Sequence, residues 1–364
     1  MYIVIFFTCI AIFFTYLDVK GNFKNGMLWG FILITLLQMV HYDYGNDYMS
    51  YYTLYQENVS SAFDLQDIIE GTVFRDPGWI ILCYAFKHIG GFFMMVAAIS
   101  LFEGWAFYNA IKDWLPKNLW VFGVTIYLIH TSYYLLNFSM LRQGFTIAVF
   151  LAIWPWVKER KWWYCLAAII GASFIHGSAK VLLPFAFWGF LPMKNAKYWV
   201  LSFIGIIILL NINGALLNDL STALLGTSKS FEYYMNTYEG GNTTGSYGLG
   251  YYIYMIPVFV SLWFLYKNED GEKDTKLLVA LSCIGTIVSI FAASLPMVGR
   301  IGMYFGAYSI VSLPIVYNYI QNKGVRIALI SLFIFIHLYD YFLFFNSEVF
   351  SEKYTEFHTI FSVI

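Results

Sequence analysis

The stretch FTIAVFLAIWPWVKERKWWYCLAAIIGASFI (145–175) consists of two apolar runs joined by the short basic loop 158–161. The same arrangement recurs along the whole chain, which is 60% hydrophobic and only 12% charged. Soluble domains contain about 25% charged residues. A soluble core cannot cover so much apolar surface, so the composition predicts an all-α polytopic membrane protein surrounded by a lipid bilayer. The net charge of −1 argues against a nucleic-acid partner.

A helix needs roughly 17–25 apolar residues to cross a bilayer, and about twelve stretches approach this length. Residues 77–90 are apolar but short, and they form either an in-plane or re-entrant helix or one more crossing. The predicted spans are 2–17, 26–41, 92–110, 119–137, 142–157, 162–176, 178–192, 198–213, 249–266, 277–295, 301–320 and 327–345.

Basic residues concentrate in the loops that follow every second predicted span. Cytoplasmic loops are enriched in Lys and Arg, and these loops share one side only if residues 77–90 do not cross. We therefore predict about twelve crossings with both termini outside. The alternative is about thirteen, with the N-terminus and residues 41–76 in the cytoplasm. The loops carry Lys20 and Lys24; Lys112 and Lys117; Lys158, Arg160 and Lys161; Lys194 and Lys197; Lys267, Lys273 and Lys276; Lys323 and Arg326.

These spans predict a single transmembrane domain, residues 1–345, followed by a C-terminal tail, residues 346–364. The outer face of this domain receives the segment 41–76 and the long loop 214–248. A loop of this length in a compact protein is typically a lid or a binding loop.

Arg142 and Arg300 depart from the charge pattern, because both begin helices at the predicted outer face. A helix N-terminus offers free N–H groups, and arginine adds a planar fork of donors. This combination suits a phosphate or a pyrophosphate. The alternatives are an interfacial side chain for Arg142 and, for Arg300, helix packing through Gly299 and Gly302.

His176 is the candidate proton acceptor at the same face. A neutral imidazole can take a proton from a hydroxyl, although a membrane histidine can equally be a hydrogen-bonded packing residue. Lys180 follows at i+4, on the same face of the expected helix. Its amine would bind a phosphate or pair with a carboxylate.

The segment HYDYGNDYMSYYTLY (41–55) places tyrosines at helical spacing after Asp47. Asp47 is either a helix cap or a functional carboxylate, as a general base or a ligand for a sugar hydroxyl. A tyrosine offers a flat apolar face and a hydroxyl, which suits a sugar, although tyrosines also form interfacial belts. The tyrosines expected to contact sugar are Tyr48, Tyr51 and Tyr52 here, and Tyr234 and Tyr238 in the long loop.

Two further features have structural interpretations. Arg75-Asp76-Pro77 is typical of a helix start, with Asp76 as N-cap and Pro77 at the first position. Arg75 and Asp76 remain further site candidates. The four cysteines lack metal-ligand spacing, so no metal site is expected.

The chain contains five short motifs: YGNDYMSYY (44–52), RDPGW (75–79), LRQGFTIA (141–148), IHGSA (175–179) and GRIGMYF (299–305). In this order they resemble the EpsG-type, Wzy-like polysaccharide polymerases, over roughly residues 1–345. One position departs from the family pattern, in which an Arg commonly precedes the first motif. This chain has His41 there, and His41 would supply a cation when protonated.

The resemblance implies a bacterial cell-membrane enzyme that polymerises repeat units of a surface polysaccharide, such as an exopolysaccharide, capsule or O-antigen, at the outward or periplasmic face. It also implies a GT-C-like helical architecture and chemistry without a metal or other cofactor. The expected partners are polyprenyl-pyrophosphate-linked oligosaccharides, usually carried on undecaprenyl, as donor and acceptor. A chain-length regulator and a flippase of the same pathway are further expected partners.

On this interpretation Arg142 and Arg300 hold the donor pyrophosphate, with Lys180 as a further phosphate contact. Either His176 or Asp47 takes the proton from the acceptor hydroxyl, and the sequence leaves both open. Attack from the side opposite to the pyrophosphate inverts the anomeric carbon. Tyrosines of 44–55 and 231–254 hold the sugars.

Two other functions fit parts of the sequence. A multispan acyltransferase that modifies a surface glycan has a similar length and a similar pairing of His and Arg. A transporter or flippase for lipid-linked sugars would carry charges near mid-bilayer, often in broken helices or paired repeats. The chain shows no clear internal repeat, and its unusual charges gather near one face, which disfavours transport.

Overall fold

A computed structural model of the chain describes residues 1–59, 74–193, 195–212, 249–291 and 296–362. The described structure is 81% helical with almost no strand, as the composition predicts, because a helix satisfies its own backbone N–H and C=O groups inside lipid. The first half contains α1 (Tyr2–Val19), α2 (Gly26–Met39), β1 (His41–Tyr42), α3 (Tyr48–Thr53), α4 (Pro77–Ile89), α5 (Gly91–Trp114), α6 (Trp120–Ile129), α7 (Tyr134–Asn137), α8 (Leu141–Ala152), α9 (Trp154–Lys158) and α10 (Trp162–Ile175).

The second half begins with a 3₁₀ helix, Gly177–Phe190, which we call the 3₁₀ segment. Shorter irregular helices follow α3 at Leu54–Asn58, precede α6 at Lys117–Leu119 and end the described chain at Ile360–Ser362. The remaining elements are α11 (Ala196–Ile212), α12 (Leu249–Tyr254), α13 (Ile256–Lys267), α14 (Lys273–Phe291), α15 (Pro296–Gly306), α16 (Ser309–Tyr319), α17 (Lys323–Asn346), α18 (Ser351–Tyr354) and β2 (His358–Thr359).

Three helices of the described chain, α1, α5 and α17, are individually long and apolar enough to cross a membrane. Several shorter apolar helices accompany them, including α2, α10 and α13. The protein is therefore an all-α membrane protein, as predicted from its composition.

The predicted span 178–192 is the 3₁₀ segment, whereas an α-helix was expected. Pro184 lies inside it and cannot donate a backbone N–H, which disfavours a regular α-helix. A 3₁₀ helix rises about 2.0 Å per residue, so its 14 residues extend about 28 Å. That length is close to the thickness of the hydrocarbon core of a bilayer, about 30 Å.

The basic loops lie close to one another, and we call this part of the molecule the basic end. The rings of Trp114 and Trp154, tilted with their centroids 5.9 Å apart, connect the last residue of α5 to the first residue of α9. The hydroxyl of Tyr319 donates to the Lys267 carbonyl at 3.5 Å. Three ion pairs join further loops: Lys117–Asp18 (2.8 Å), Lys158–Asp274 (3.9 Å) and Lys197–Glu269 (3.3 Å).

Helix α4 begins and ends away from the basic end, on the side that we call the far end. Asp76, just before α4, pairs with Arg142 at the start of α8. Lys87, near the other terminus of α4, lies over the Tyr55 ring. Helix α5 then begins at the far end, where its residue Phe92 packs on Tyr48. It runs from there to the basic end. The placement of residues 77–90 as an in-plane or re-entrant helix stays a prediction.

The C-terminal segment packs across residues 41–47. Strand β2 pairs with β1 in an antiparallel arrangement, with His41 opposite Thr359. Lys353 Nζ binds the Asp43 carboxylate at 3.1 Å. The amino group of Met1 donates to the Thr355 carbonyl at 2.5 Å, so Met1 also lies at the far end.

Helices α14 and α15 approach closely at a pair of glycines. A Cβ added to Gly285 would lie 2.1 Å from the backbone nitrogen of Gly306. A Cβ on Gly302 would lie 2.8 Å from the backbone nitrogen of Ser289. Gly302 therefore serves helix packing, as the alternative interpretation of the Arg300 segment predicted.

We expect Gly285→Ala to destabilise the protein by about 1–3 kcal/mol, because the two backbones must separate. The measurement is the thermal unfolding midpoint in detergent. Gly205→Ala on α11 is the control, because its Cβ would meet no atom within 4 Å. Equal midpoints for the two variants would contradict the close packing of α14 and α15.

Candidate functional site

Asp76 lies at the centre of a charged cluster at the far end. It occupies the N-cap position of α4, and Pro77 follows in the first turn, as predicted. Its side chain makes no capping hydrogen bond, so the capping interpretation of the carboxylate is wrong. Instead, Oδ2 accepts a hydrogen bond from Arg142 Nη1, and Oδ1 accepts one from the Gly177 backbone N–H at 3.1 Å. A buried carboxylate is stabilised more by a cation than by a cap.

Two more basic groups lie close to this carboxylate. Arg75 Nε is 3.7 Å from Asp76 Oδ2, and His176 Nδ1 is 3.9 Å from the same oxygen. Burial raises the pKa of the Asp76 carboxyl, but His176, Arg142 and Arg75 together outweigh it and lower that pKa. Asp76 is therefore ionised at neutral pH.

Arg142 is a buried side chain, only 7% exposed. Its guanidinium lies 4.8 Å from the centre of the Phe74 ring and 5.4 Å from that of Tyr51. Its Nε donates to the Tyr51 hydroxyl at 3.4 Å. An arginine that extends to the membrane surface would be exposed, so the interfacial interpretation of Arg142 is wrong. Aromatic faces and Asp76 hold the guanidinium in place.

His176 lies between α10 and the 3₁₀ segment and is 6% exposed. Burial lowers its pKa to about 4; Asp76 opposes this shift, and the charges of Arg142 and Arg300 add to it. Its ring is therefore neutral at pH 7. Within the described residues, neither ring nitrogen has a hydrogen-bond partner. A neutral, buried imidazole of this kind is able to accept a proton.

Arg300 lies on α15, next to the helix that carries Arg142. Gln143, directly after Arg142, donates from Nε2 to the Arg300 carbonyl at 3.0 Å. The charge of Arg300 also acts on the pKa of His176. The structure thus brings together Arg142, His176 and Arg300, which the sequence placed at one face.

Lys180 does not join this cluster. The segment from Gly177 is a 3₁₀ helix, in which residues three apart share a face. His176 and Lys180 are four apart, so they point in different directions. Lys180 is exposed, and in the part of the chain that the structure describes no hydrogen bond or ion pair joins it to Asp76.

Asp47 lies at the N-cap of α3 without a side-chain capping bond. Its backbone N–H donates to Ser139 Oγ at 2.9 Å. Across the described ranges, no hydrogen bond or ion pair joins its carboxylate to Arg142 or His176. Tyr51, one turn further along α3, does reach Arg142. Asp47 therefore lies on the helix that reaches the cluster, but in the described part of the chain its carboxylate does not bond to Arg142 or His176.

The predicted sugar-binding tyrosines have different surroundings. Tyr48 is fully buried and donates to the His41 carbonyl at 3.2 Å, which leaves it no surface for a sugar. Tyr51 packs under Arg142, and Tyr52 remains partly exposed beside Phe93. Tyr234 and Tyr238 lie outside the described residues.

His41 does not provide the cation expected at its position. It is fully buried, and burial lowers its pKa to about 4, although the carbonyls of Gln38 and Phe138 raise it. Both ring nitrogens face these carbonyls. At pH 7 the neutral ring donates to one carbonyl, and His41 acts as a packing residue between α2 and the turn after α7.

The sequence did not single out Tyr304. Its hydroxyl lies 2.9 Å from Thr146 Oγ1 and 3.0 Å from Ser178 Oγ. The only signal was its place in the motif GRIGMYF, one helical turn after Arg300. As for metals, no group of three or more His, Cys, Asp and Glu within the described ranges is arranged to hold one.

The fold and the site define an all-α membrane protein with a buried cluster of Asp, Arg and His at one end. A family model described as "EpsG family" matches residues 26–358. The chain therefore belongs to the EpsG family, which confirms the resemblance seen in its motifs. This membership supports a polysaccharide polymerase-like role in general. Neither a curated protein nor a solved structure matches the chain.

We expect the stability of the protein to fall as the pH drops from 6.5 to about 4, partly through His176. In that window the unfolded histidine binds a proton and the buried one does not. The loss attributable to His176 is about 3 kcal/mol. The measurement is the thermal midpoint at several pH values. His176→Gln should flatten this dependence, and His88→Gln, at an exposed histidine, should leave it unchanged. Equal slopes for both variants would mean that His176 titrates normally.

Proposed function

We propose that this protein is a membrane glycosyltransferase that polymerises polyprenyl-pyrophosphate-linked repeat units of a surface polysaccharide. The polysaccharide is an exopolysaccharide, a capsule or an O-antigen. Family membership supports the general role. The observation that carries the finer proposal is a neutral, buried His176 beside the Asp76–Arg142 pair and within electrostatic reach of Arg300. This arrangement supports the proposal of a proton acceptor next to cations that suit a pyrophosphate.

In the proposed topology the far end faces outward from the bacterial cell membrane and the basic end faces the cytoplasm. The contact between Met1 and Thr355 supports an even number of crossings between these two residues, because both lie on one side. Helix α4 begins and ends at the far end, which supports about twelve crossings over thirteen. The proposed helical architecture is GT-C-like, and the proposed reaction uses no metal.

The arginines have an electrostatic role in the proposed reaction. When the bond between the anomeric carbon and the pyrophosphate oxygen breaks, negative charge develops on the departing polyprenyl pyrophosphate. Arg142 and Arg300 stabilise that charge best if they are already in position. The carboxylate of Asp76 and the ring of Tyr51 hold the Arg142 guanidinium in one orientation. Arg142 is therefore preorganised before the substrate arrives.

His176 is the base in this proposal. Its Nε2 takes the proton from a hydroxyl at the nonreducing end of the acceptor, while that oxygen bonds to the anomeric carbon of the donor. The bond from this carbon to the pyrophosphate oxygen breaks on the opposite side, which inverts the configuration. Asp76, 3.9 Å from Nδ1, stabilises the imidazolium that forms. Asp47 is the alternative base, and Tyr52 is a candidate sugar contact.

Purified protein supplied with lipid-linked repeat units should convert them into a ladder of longer glycans, resolved by gel or mass spectrometry. Arg300→Ala should lower kcat about 10²–10³-fold, because one donor to the developing charge is lost. Arg326→Ala, at the basic end, is the matched control and should retain the ladder. A single acylated product would favour an acyltransferase, and a translocated but unextended substrate would favour a transporter. Either result would overturn the proposal.

The choice of base has its own test. His176→Gln should lower kcat about 10²–10⁴-fold, which is the usual contribution of a general base. Asp47→Asn should have a smaller effect, and the exposed control His88→Gln should have none. The measurement is the initial rate of ladder formation with saturating donor. A full loss in Asp47→Asn together with an active His176→Gln would transfer the role of base to Asp47.

A further inference from the structure

The hydroxyl of Tyr304 joins three segments that carry the proposed site. Tyr304 is a fully buried residue of α15. Its oxygen lies 2.9 Å from Thr146 Oγ1 on α8 and 3.0 Å from Ser178 Oγ on the 3₁₀ segment. One hydroxyl thus connects the helix of Arg142, the helix of Arg300 and the turn that follows His176.

The direction of these hydrogen bonds follows from proton counting. Thr146 Oγ1 donates its only proton to the Gln143 carbonyl at 3.0 Å. It can therefore only accept from Tyr304, and Tyr304 donates to it. Tyr304 has then used its own proton, so Ser178 must donate to Tyr304. The chain runs in one direction, from Ser178 through Tyr304 and Thr146 to the backbone of Gln143.

Gln143 continues the network to the third site residue, because its Nε2 donates to the Arg300 carbonyl at 3.0 Å. Each proposed site residue therefore has a member of the network in its own backbone or within two residues of it. Ser178 lies two residues after His176, Gln143 directly follows Arg142, and the last acceptor is the backbone of Arg300 itself.

We propose that Tyr304 is a positioning residue, whose hydroxyl sets the spacing between the base His176 and the pyrophosphate-binding Arg142 and Arg300. This inference rests on the proposed function. Its physical basis is that a displacement of about 1 Å between catalytic groups can lower a rate about 10²-fold. Membrane helices lack a hydrophobic force that presses them together, and hydrogen bonds between helices contribute to their association.

The test compares two identical substitutions at neighbouring buried tyrosines. Tyr304→Phe removes the hydroxyl at the junction. Tyr308→Phe is the matched control. Tyr308 is also fully buried, and it donates to the Phe150 carbonyl of α8 at 2.8 Å, further from the site. We expect similar thermal midpoints for the two variants. We also expect kcat to be lowered about tenfold or more in Tyr304→Phe alone, with a smaller change in the KM for the donor.

Variants that keep the hydroxyl distinguish a positioning role in catalysis from a role in folding alone. Ser178→Thr and Thr146→Ser each retain a hydroxyl and should keep kcat within about threefold of wild type. Ser178→Ala removes one donor and should lower kcat more than Ser178→Thr does. This pair carries the test if Tyr304→Phe does not fold. Ladder rates normalised to folded protein are the measurement.

The outcomes are distinguishable. If wild-type protein forms no ladder, the proposed function fails and this inference fails with it. If wild type forms a ladder but Tyr304→Phe and Tyr308→Phe have the same kcat, only the positioning role is overturned. The same conclusion follows if Ser178→Ala equals Ser178→Thr. A selective loss of kcat in Tyr304→Phe and Ser178→Ala supports the proposal.

Discussion

The contact between the Asp76 carboxylate and the Arg142 guanidinium is the interaction on which the far end of this protein depends. Both groups are buried, so each needs the other: loss of one partner from a buried pair costs about 3–5 kcal/mol. The same carboxylate accepts the Gly177 N–H. It therefore ties together the starts of α4, α8 and the 3₁₀ segment, and it places His176 beside Arg142.

Under the proposed function, this arrangement reconciles two demands on a membrane site that binds an anionic substrate. Cations must be available to a pyrophosphate, yet an unpaired buried cation is costly in lipid surroundings. Asp76 pairs with the buried Arg142 guanidinium, which removes the cost of an unpaired cation. It also holds that guanidinium in one orientation. The low pKa of His176 has a different origin, because burial and the charges of Arg142 and Arg300 favour the neutral ring while Asp76 opposes this shift.

Predictions based on chemistry alone succeeded better than those that needed exact backbone geometry. The membrane class, the family and the convergence of Arg142, His176 and Arg300 followed from apolar runs, charge placement and motif order. Lys180 was assigned to the face of His176 on the assumption of an α-helix, but that segment is a 3₁₀ helix. Asp76 was interpreted as a cap because local sequence signals a helix start but not a distant arginine. The number of crossings stays a prediction.

The sequence by itself determined that this chain lies in lipid, which charges avoid the basic end and which family it belongs to. These properties depend on composition and order along the chain. Only the tertiary structure decided that Asp76 pairs with Arg142, that His41 is a neutral packing residue and that Tyr304 links three segments. The reason is that these properties arise from contacts between residues 66 to 158 positions apart, whose partners and burial exist only when the helices pack.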